Sequence, residues 1–289
     1  MRLLVVGASG LVGGHLLTAA EQAGDVAVGV ARQAVGSVQA CALEDLPRLE
    51  LMLREFAPEA VLCAAGFTWA DGCEGDPARS RRENFENPVA LAELCRRQGV
   101  RFAYYSSSYV FDGREGSYAE SAPVSPLNVY GRDKAAAEAR IAEVTDGEAL
   151  ILRLIHVWGA EAKGKNFAYQ VRQANLQGAE LIASGKHLGN PSWAGDVAAW
   201  SLALCRDRRR GVWHLAGDRP RLSRREWAEE TLAGLSRLGQ PRRARLMDGP
   251  AASASKTPRP MSAGLDTAKI QAFAPRLCRQ PSELPPDFA

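Results

Sequence analysis

Several familiar features are missing from this chain of 289 residues. Its six cysteines include no pair at Cys-x-x-Cys spacing, and its four histidines do not cluster with them. This distribution argues against a zinc site and against a disulfide framework. We therefore expect no bound metal and mostly buried, reduced thiols.

Long apolar runs and a strong charge are also lacking. The first apolar run is broken by Gly7, and no later run is long enough to span a membrane. The formal net charge is only +3, and no basic block alternates with aromatic residues. We therefore predict a cytoplasmic protein that binds neither membrane nor nucleic acid.

The sequence does contain a regular alternation of strand-like and helix-like segments. The continuous apolar run "RLLVV" is typical of a strand buried on both faces, and a helix-like segment follows it. Further strand-like segments alternate with helical ones, namely "VAVGVA", "AVLCAAG", "RFAYYSSSYVF" and "ALILRLIHVWG". This order predicts an α/β fold, a doubly wound parallel sheet of the Rossmann type.

The alternation weakens after about Gly159. Three helical segments and the strand-like "GVWHLAG" follow, and residues 239–264 are rich in Pro, Ala, Ser and Arg, as in a surface loop. We assign residues 1–159 mainly to the Rossmann domain. Residues 160–289 are assigned mainly to a small substrate-binding lobe, with some chain returning to the Rossmann core.

Glycines punctuate the turn between the first strand and the first helix, at Gly7, Gly10 and Gly13. Glycine allows a tight turn and the close approach of a pyrophosphate, whose charge the free N–H groups of a helix start can bind. Such glycines can also serve packing alone, but a strand before them and a helix after them are the context of a dinucleotide site.

The end of the second strand indicates which dinucleotide is bound. An NAD site commonly has Asp or Glu there, for the ribose 2′-hydroxyl, whereas this chain has "GVARQ" with Arg32. A guanidinium can pair with a 2′-phosphate, so the sequence favours NADP(H). The alternative is that Arg32 is a surface charge at a strand end.

Tyr130 and Lys134 stand four residues apart at the predicted start of a helix, and thus on one helix face. A nearby ammonium favours the phenolate and lowers the pKa of a phenol from its usual value near 10. The pair can therefore transfer a proton, although an aromatic residue and a cation at an ordinary helix start would have the same spacing.

The glycine turn, "YSSSYVFDG" (Tyr105 to Gly113) and "SPLNVYGRDK" (Ser125 to Lys134) together resemble an extended short-chain dehydrogenase/reductase. More narrowly, the chain resembles the dTDP-4-dehydrorhamnose reductase family. Weaker matches in the family's order extend the resemblance over nearly the whole sequence, among them "GNPSWAGDVA" and "TPRPMSAGLD".

The resemblance implies an NADPH-dependent reduction of a 4-keto nucleotide sugar. The implied catalytic residues are Ser107, Tyr130 and Lys134. The expected cofactor-binding residues are Gly7, Ser9, Gly10, Leu11, Val12, Gly13, Arg32, Ala64, Ala65 and Gly66, together with Tyr130 and Lys134. The expected substrate-binding residues are Thr68, Ser108, Tyr109, Asn166, Asn190 and Pro191. Dimers are common in the family, so a homodimer is one expected assembly.

The chain departs from the family pattern mostly around the expected sugar pocket. Ser108 stands where Asp is usual and Gly72 where Lys is frequent, while His156 and Trp158 replace an expected Trp and Tyr. Two other functions stay open at this point. One is an NADP-binding regulatory subunit without catalysis, and the other is a nucleotide-sugar epimerase or dehydratase.

Overall fold

A parallel sheet of seven strands forms the centre of the computed structural model. The structure describes residues 1–161, 164–219, 221–249, 257–275 and 278–288. In chain order the strands are β1 (Arg2–Val6), β2 (Val26–Ala31), β3 (Gln39–Ala40), β4 (Ala60–Cys63), β5 (Arg101–Ser107), β6 (Gly116–Tyr118), β7 (Leu150–Leu154), β8 (Val157–Trp158), β9 (Glu180–Ile182), β10 (Leu188–Gly189), β11 (Ser192–Trp193), β12 (Gly211–Leu215), β13 (Leu222–Ser223), β14 (Arg245–Met247) and β15 (Ala263–Leu265).

Helices connect these strands. The α-helices are α1 (Leu11–Gln22), α2 (Leu46–Phe56), α3 (Ala70–Gly75), α4 (Pro77–Arg81), α5 (Asn87–Arg97), α6 (Val129–Val144), α7 (Phe167–Gln177), α8 (Ala194–Arg206), α9 (Arg224–Arg237) and α10 (Ala268–Phe273). A π-helical turn covers Arg82–Glu86, and 3-10 turns cover Ser108–Val110 and Pro286–Phe288. Within the described ranges, no helix is long and apolar enough to cross a membrane.

The strand order of the central sheet is β12-β7-β5-β4-β1-β2-β3, and every pairing is parallel. Helices cover both faces. Leu16 of α1 and Trp200 of α8 pack in the apolar layer on one face. Leu91 of α5 and Ile141 of α6 pack in the layer on the other. This arrangement confirms the doubly wound Rossmann sheet that the alternating segments predict.

A third apolar cluster forms the core of the C-terminal lobe, where Phe167 of α7 packs against Trp227 of α9 at a ring-centroid distance of 4.8 Å. The later chain is divided between the two regions, because α8 packs on α1 and β12 extends the central sheet beside β7. The domain boundary at residue 159 stays a prediction.

Three local features differ from the sequence-based expectations. The strand expected over "RFAYYSSSYVF" ends at Ser107 and continues as a 3-10 turn. The strand expected over "ALILRLIHVWG" is interrupted at His156, whose φ of +46° is incompatible with a strand. The expected loop over residues 239–264 contains β14 and part of β15, which pair with β9 and β6, whereas its residues 250–256 lie outside the described residues.

A buried ion pair joins α6 to the sheet directly beneath the carboxyl edge. Arg153 of β7 donates from Nη2 to Oε2 of Glu138 at 2.7 Å and from Nε to Oε1 at 3.0 Å. The same carboxylate accepts a hydrogen bond from Ser106, the neighbour of Ser107. Both charged side chains are less than one-tenth exposed, so each charge depends on the other for its solvation.

Glu138→Leu is therefore expected to lower the free energy of unfolding by about 3 to 5 kcal/mol, because it leaves the Arg153 guanidinium buried without its counterion. Adding Arg153→Met should restore part of the loss, since no uncompensated charge remains. Denaturant titration measures both variants, with Glu143→Leu as an exposed control on the same helix. Additive losses in the double variant would contradict this role of the pair.

Candidate functional site

The glycine turn lies at the carboxyl end of β1, against the end of β4. Gly7 has φ +89°, and a Cβ there would lie 2.5 Å from the backbone nitrogen of Ala65. Gly13 has no room for a Cβ against the carbonyl oxygen of Gly7, so α1 starts in contact with the turn. Gly10 caps α1 without a side-chain hydrogen bond, which leaves the first amides of the helix available to an anion.

Two cavities meet at this turn. One, of about 240 Å³, lies between the glycine turn, the Ala64–Gly66 segment after β4 and the residues following β3. The other, of about 690 Å³, extends past Leu11 along α1. Ser9, Gly10 and Arg32 line both cavities. Val12 faces inward and packs against the apolar core.

Arg32 follows the last residue of β2 directly, and its side chain is 59% exposed. Its Nη2 lies 3.1 Å from Oε2 of Glu83, whose other oxygen accepts from Arg79 at 2.7 Å. Arg32 is thus held at the mouth of the cavities by a carboxylate that it shares with a second guanidinium.

Ser107, Tyr130 and Lys134 converge at the carboxyl edge of β5. The side chain of Asn128 accepts from the backbone nitrogen of Gly131 at 2.8 Å and so fixes the start of α6. Gly131 has no room for a Cβ against the carbonyl oxygen of Tyr109, so the first helical turn lies directly on the segment after β5. In this position the Ser107 side chain lies near enough to the Tyr130 hydroxyl to favour its ionised form and to lower its pKa.

Lys134 is buried beneath this pair. Its Nζ donates to the carbonyl oxygen of Tyr105 at 2.9 Å and lies 4.5 Å from the ring centre of Tyr104. Burial lowers the pKa of Lys134 to about 8, and the charges of Cys63 and Glu138 oppose this change. The lysine lies 5.9 Å from the ring centre of Tyr130.

The sequence predicts that Lys134 lowers the pKa of the Tyr130 phenol. In the structure burial raises the pKa of Tyr130, and the Ser107 side chain opposes the increase only in part. Desolvation disfavours the phenolate more than these neighbours favour it. Tyr130 is consequently a neutral phenol at neutral pH, which is the form that can donate a proton.

Asn84 also belongs to the site, although no motif in the sequence indicates it. It is fully buried in the π-helical turn and forms paired hydrogen bonds with the backbone of Phe67, at 3.0 Å and 2.9 Å. Its own carbonyl accepts from the Tyr104 hydroxyl at 2.8 Å. Asn84 thereby fixes the loop after β4 against β5. The π-helical turn has no periodic apolar signal that would identify it in the sequence.

Of the expected substrate-side residues, Ser108 and Tyr109 continue directly from Ser107. The rings of Tyr109 and Tyr130 meet edge to face at 5.5 Å, while Ser108 is buried. Thr68 is exposed on the loop after β4. Ser108 and Tyr109 thus lie next to the Ser107–Tyr130 pair, and contact of any of the three residues with a substrate stays a prediction.

Two of the other expected substrate residues, Asn190 and Asn166, bind the protein backbone. Asn190 is fully buried and bonds the carbonyls of Gly217 and Leu265, and it accepts from the Leu265 nitrogen at 2.8 Å. Asn166 caps α7 and donates to the carbonyl of Gly159 at 2.9 Å. Pro191 is buried beside Asn190. In this structure Asn190 therefore joins the segments at Gly217 and Leu265 by hydrogen bonds, and a role toward a substrate stays a prediction.

Two features together define a class of protein. The glycine turn leaves helix amides free, and the edge of the Rossmann sheet carries a buried Ser–Tyr–Lys set. That class is the extended short-chain dehydrogenases/reductases, which the sequence motifs resemble.

Comparison with known proteins narrows the class. The family model described as the RmlD substrate binding domain matches residues 1–283. A dTDP-4-dehydrorhamnose reductase of Burkholderia thailandensis is 34% identical over 74% of this chain and 72% of its own. The β subunit of rat methionine adenosyltransferase 2 is 28% identical over 93% of this chain and 81% of its own. The fold of a Bacillus anthracis dTDP-4-dehydrorhamnose reductase, solved with NADP, superposes with a TM-score of 0.84 at 18% identity, covering 98% and 96% of the two chains. The chain belongs to the RmlD substrate-binding-domain family of dTDP-4-dehydrorhamnose reductases and their relatives.

Arg32→Ala tests whether this guanidinium binds a 2′-phosphate. The dissociation constant for NADPH should rise by about 10- to 100-fold, as expected for lost charge-assisted hydrogen bonds, while that for NADH changes little. Fluorescence titration measures both. Arg48→Ala, an exposed arginine on α2 that lines neither cavity, is the control. An equal loss for both cofactors would mean that Arg32 binds no 2′-phosphate.

Proposed function

We propose that the protein is an NADPH-dependent reductase of a 4-keto nucleotide sugar. One observation carries the proposal: Ser107, Tyr130 and Lys134 are all buried and lie together at the carboxyl edge of the sheet, where burial raises the pKa of Tyr130 and keeps its proton in place at neutral pH. A ketone reduction needs a proton for oxygen and a hydride for carbon, and this set is suited to supply the proton. Relatives named dTDP-4-dehydrorhamnose reductases support the substrate class.

The residues present fit an NADP(H) molecule. The absent Cβ atoms of Gly7 and Gly13 and the free amides at the start of α1 suit a pyrophosphate. The smaller cavity suits the adenosine, with Arg32 at its mouth for the 2′-phosphate. Ala64, Ala65 and Gly66 would line the path towards the reactive end, and Lys134 would hold the nicotinamide ribose. When bound, NADPH supplies the hydride.

Ser107 and Tyr130 direct the protein's own part of the reaction. The Ser107 hydroxyl and the Tyr130 Oη would both donate to the ketone oxygen of the substrate. The proton on Tyr130 Oη then moves to that oxygen as it becomes an alkoxide, and the Lys134 ammonium stabilises the phenolate that is left. Tyr130 and Ser107 are 7% and 9% exposed, so bulk water is largely excluded from this transfer. General acid catalysis of this kind contributes about two to four orders of magnitude in rate.

A non-catalytic NADP-binding role is the second candidate. Similarity to the β subunit of methionine adenosyltransferase 2 over 93% of the chain favours it, as do the altered residues around the expected sugar pocket. The presence of Ser107, Tyr130 and Lys134 together at the carboxyl edge of β5 favours the reductase.

Tyr130→Phe removes only the hydroxyl that donates the proton. With NADPH and a panel of 4-keto nucleotide sugars, including dTDP-4-keto-6-deoxyhexose, the rate of nicotinamide absorbance loss should fall by about 10²- to 10⁴-fold. The NADPH dissociation constant should stay within about threefold, because the ring and Lys134 remain. Tyr169→Phe in the C-terminal lobe is the matched control.

Two outcomes would contradict the proposal. Retained activity in Tyr130→Phe would remove Tyr130 from the proton-transfer step. Absence of turnover by the unmodified protein on every ketone, with NADPH still bound, would favour the regulatory role.

A further inference from the structure

Arg224, the first residue of α9, carries a charge that the protein does not neutralise. Its guanidinium lies 4.5 Å from the ring centre of Phe167 and 4.8 Å from that of Trp227. Over the described part of the chain, it makes no ion pair with a carboxylate and no side-chain hydrogen bond. Burial lowers the pKa of Arg224 to about 10, so it stays charged at neutral pH. Two aromatic faces offset only part of the cost of desolvating a cation.

Unsatisfied donors and acceptors surround this guanidinium. The backbone nitrogen of Arg224 donates to the carbonyl of His187 at 3.0 Å, and the His187 ring lies 5.0 Å from that of His156. Both histidines have a buried Nδ1 without a partner among the described residues, and His187 is only 5% exposed. The same holds for Nε of Arg259, whose Nη2 binds Asp71 at 2.9 Å. Buried polar atoms are rarely left unpaired, so their concentration here indicates a ligand site.

This cluster lies on the side of the site where a sugar would be reduced. Leu154 is the register partner of Ser107 across β5 and β7, and His156 follows it by two residues. Tyr109, two residues beyond Ser107, interacts electrostatically with Arg224, and its ring contacts that of Tyr130. Arg224 therefore faces the region next to Tyr130 from the C-terminal lobe.

The chemistry of the cluster favours an anion with two oxygens in one plane. Arg259 is paired with the carboxylate of Asp71, whereas Arg224 forms no ion pair among the described residues, so the cluster has an excess of positive charge. Burial and Arg224 lower the pKa of His156 well below its usual range and that of His187 to about 3, so both are neutral imidazoles that can each donate one N–H. A guanidinium fork matches a carboxylate in bidentate geometry.

We propose that the sugar of the substrate carries a carboxylate, which Arg224 binds together with His187 and His156. The substrate would then be an acidic nucleotide sugar. This inference rests on the proposed function, of which it specifies the substrate class. It also accounts for His156, which stands where the family resemblance predicts Trp. A neutral imidazole can donate a hydrogen bond to a carboxylate, so that His156 and Arg224 together would bind both carboxylate oxygens.

Binding of matched nucleotide sugars tests the proposal without any turnover. Calorimetry in saturating NADP⁺ would compare glucuronate with glucose, each linked to UDP and to dTDP. The glucuronate nucleotide should bind at least about tenfold more tightly than the glucose nucleotide of the same base, as expected for a charge-assisted hydrogen-bonded pair. Arg224→Met keeps an apolar chain on the two rings and should abolish this preference, leaving the glucose nucleotides within about threefold.

Two further variants complete the design. Arg224→Lys keeps the charge without the fork and should retain part of the preference. Arg225→Met, on the same helical turn, should retain all of it, and thermal unfolding verifies that each variant folds. The proposal is overturned if the unmodified protein binds both sugars equally or binds neither. It is also overturned if Arg224→Met weakens UDP alone by the same factor as UDP-glucuronate, because Arg224 would then bind the diphosphate.

Failure of this proposal can be distinguished from failure of the proposed reductase function. Reduction of neutral keto sugars without any preference for a carboxylate would remove only the acidic substrate. A carboxylate preference without NADPH oxidation on any ketone would remove only the reductase.

Discussion

The buried ammonium of Lys134 is the constraint on which the site depends. A desolvated cation must be compensated, and here the Tyr105 carbonyl and the Tyr104 ring supply the compensation from β5. Both partners belong to β5, so these contacts help to fix the position of α6 against the sheet. In that position Tyr130 lies at the end of β5, beside Ser107.

The glycine turn places the cofactor end of the site at the same edge. Gly7 touches the segment after β4, and Asn84 binds the following loop to the protein interior. The carboxyl ends of β1, β4 and β5 thus meet in a continuous surface from the smaller cavity beside the glycine turn to Tyr130. This is where open parallel sheets bind ligands, because their strand ends and helix starts converge there.

Sequence periodicity predicted most of the Rossmann core, because buried parallel strands are continuous apolar runs and their helices repeat every 3.6 residues. The glycine turn and the spacing of Tyr130 and Lys134 are also local features of the sequence, and they located the candidate site, whose residue roles stay predictions. Asn84 and β15 were missed, since their structure depends on partners far away in the chain. Arg224 and His187 could not be assigned together for the same reason: only folding brings them to His156.

The shift in the pKa of Tyr130 was predicted in the wrong direction, because the spacing of residues in a sequence does not show how deeply a side chain is buried. A lysine four residues away suggested a stabilised phenolate, whereas the folded environment desolvates the phenol more strongly than its neighbours favour its ionised form. The same burial explains how a tyrosine can retain its proton at neutral pH until a ketone oxygen accepts it.

A transfer experiment with NADPH deuterated at the reactive nicotinamide carbon tests the central claim most directly. Deuterium should appear on the former ketone carbon of a 4-keto nucleotide sugar, as read by mass spectrometry and NMR, and an unlabelled product or an unchanged ketone would contradict the assignment.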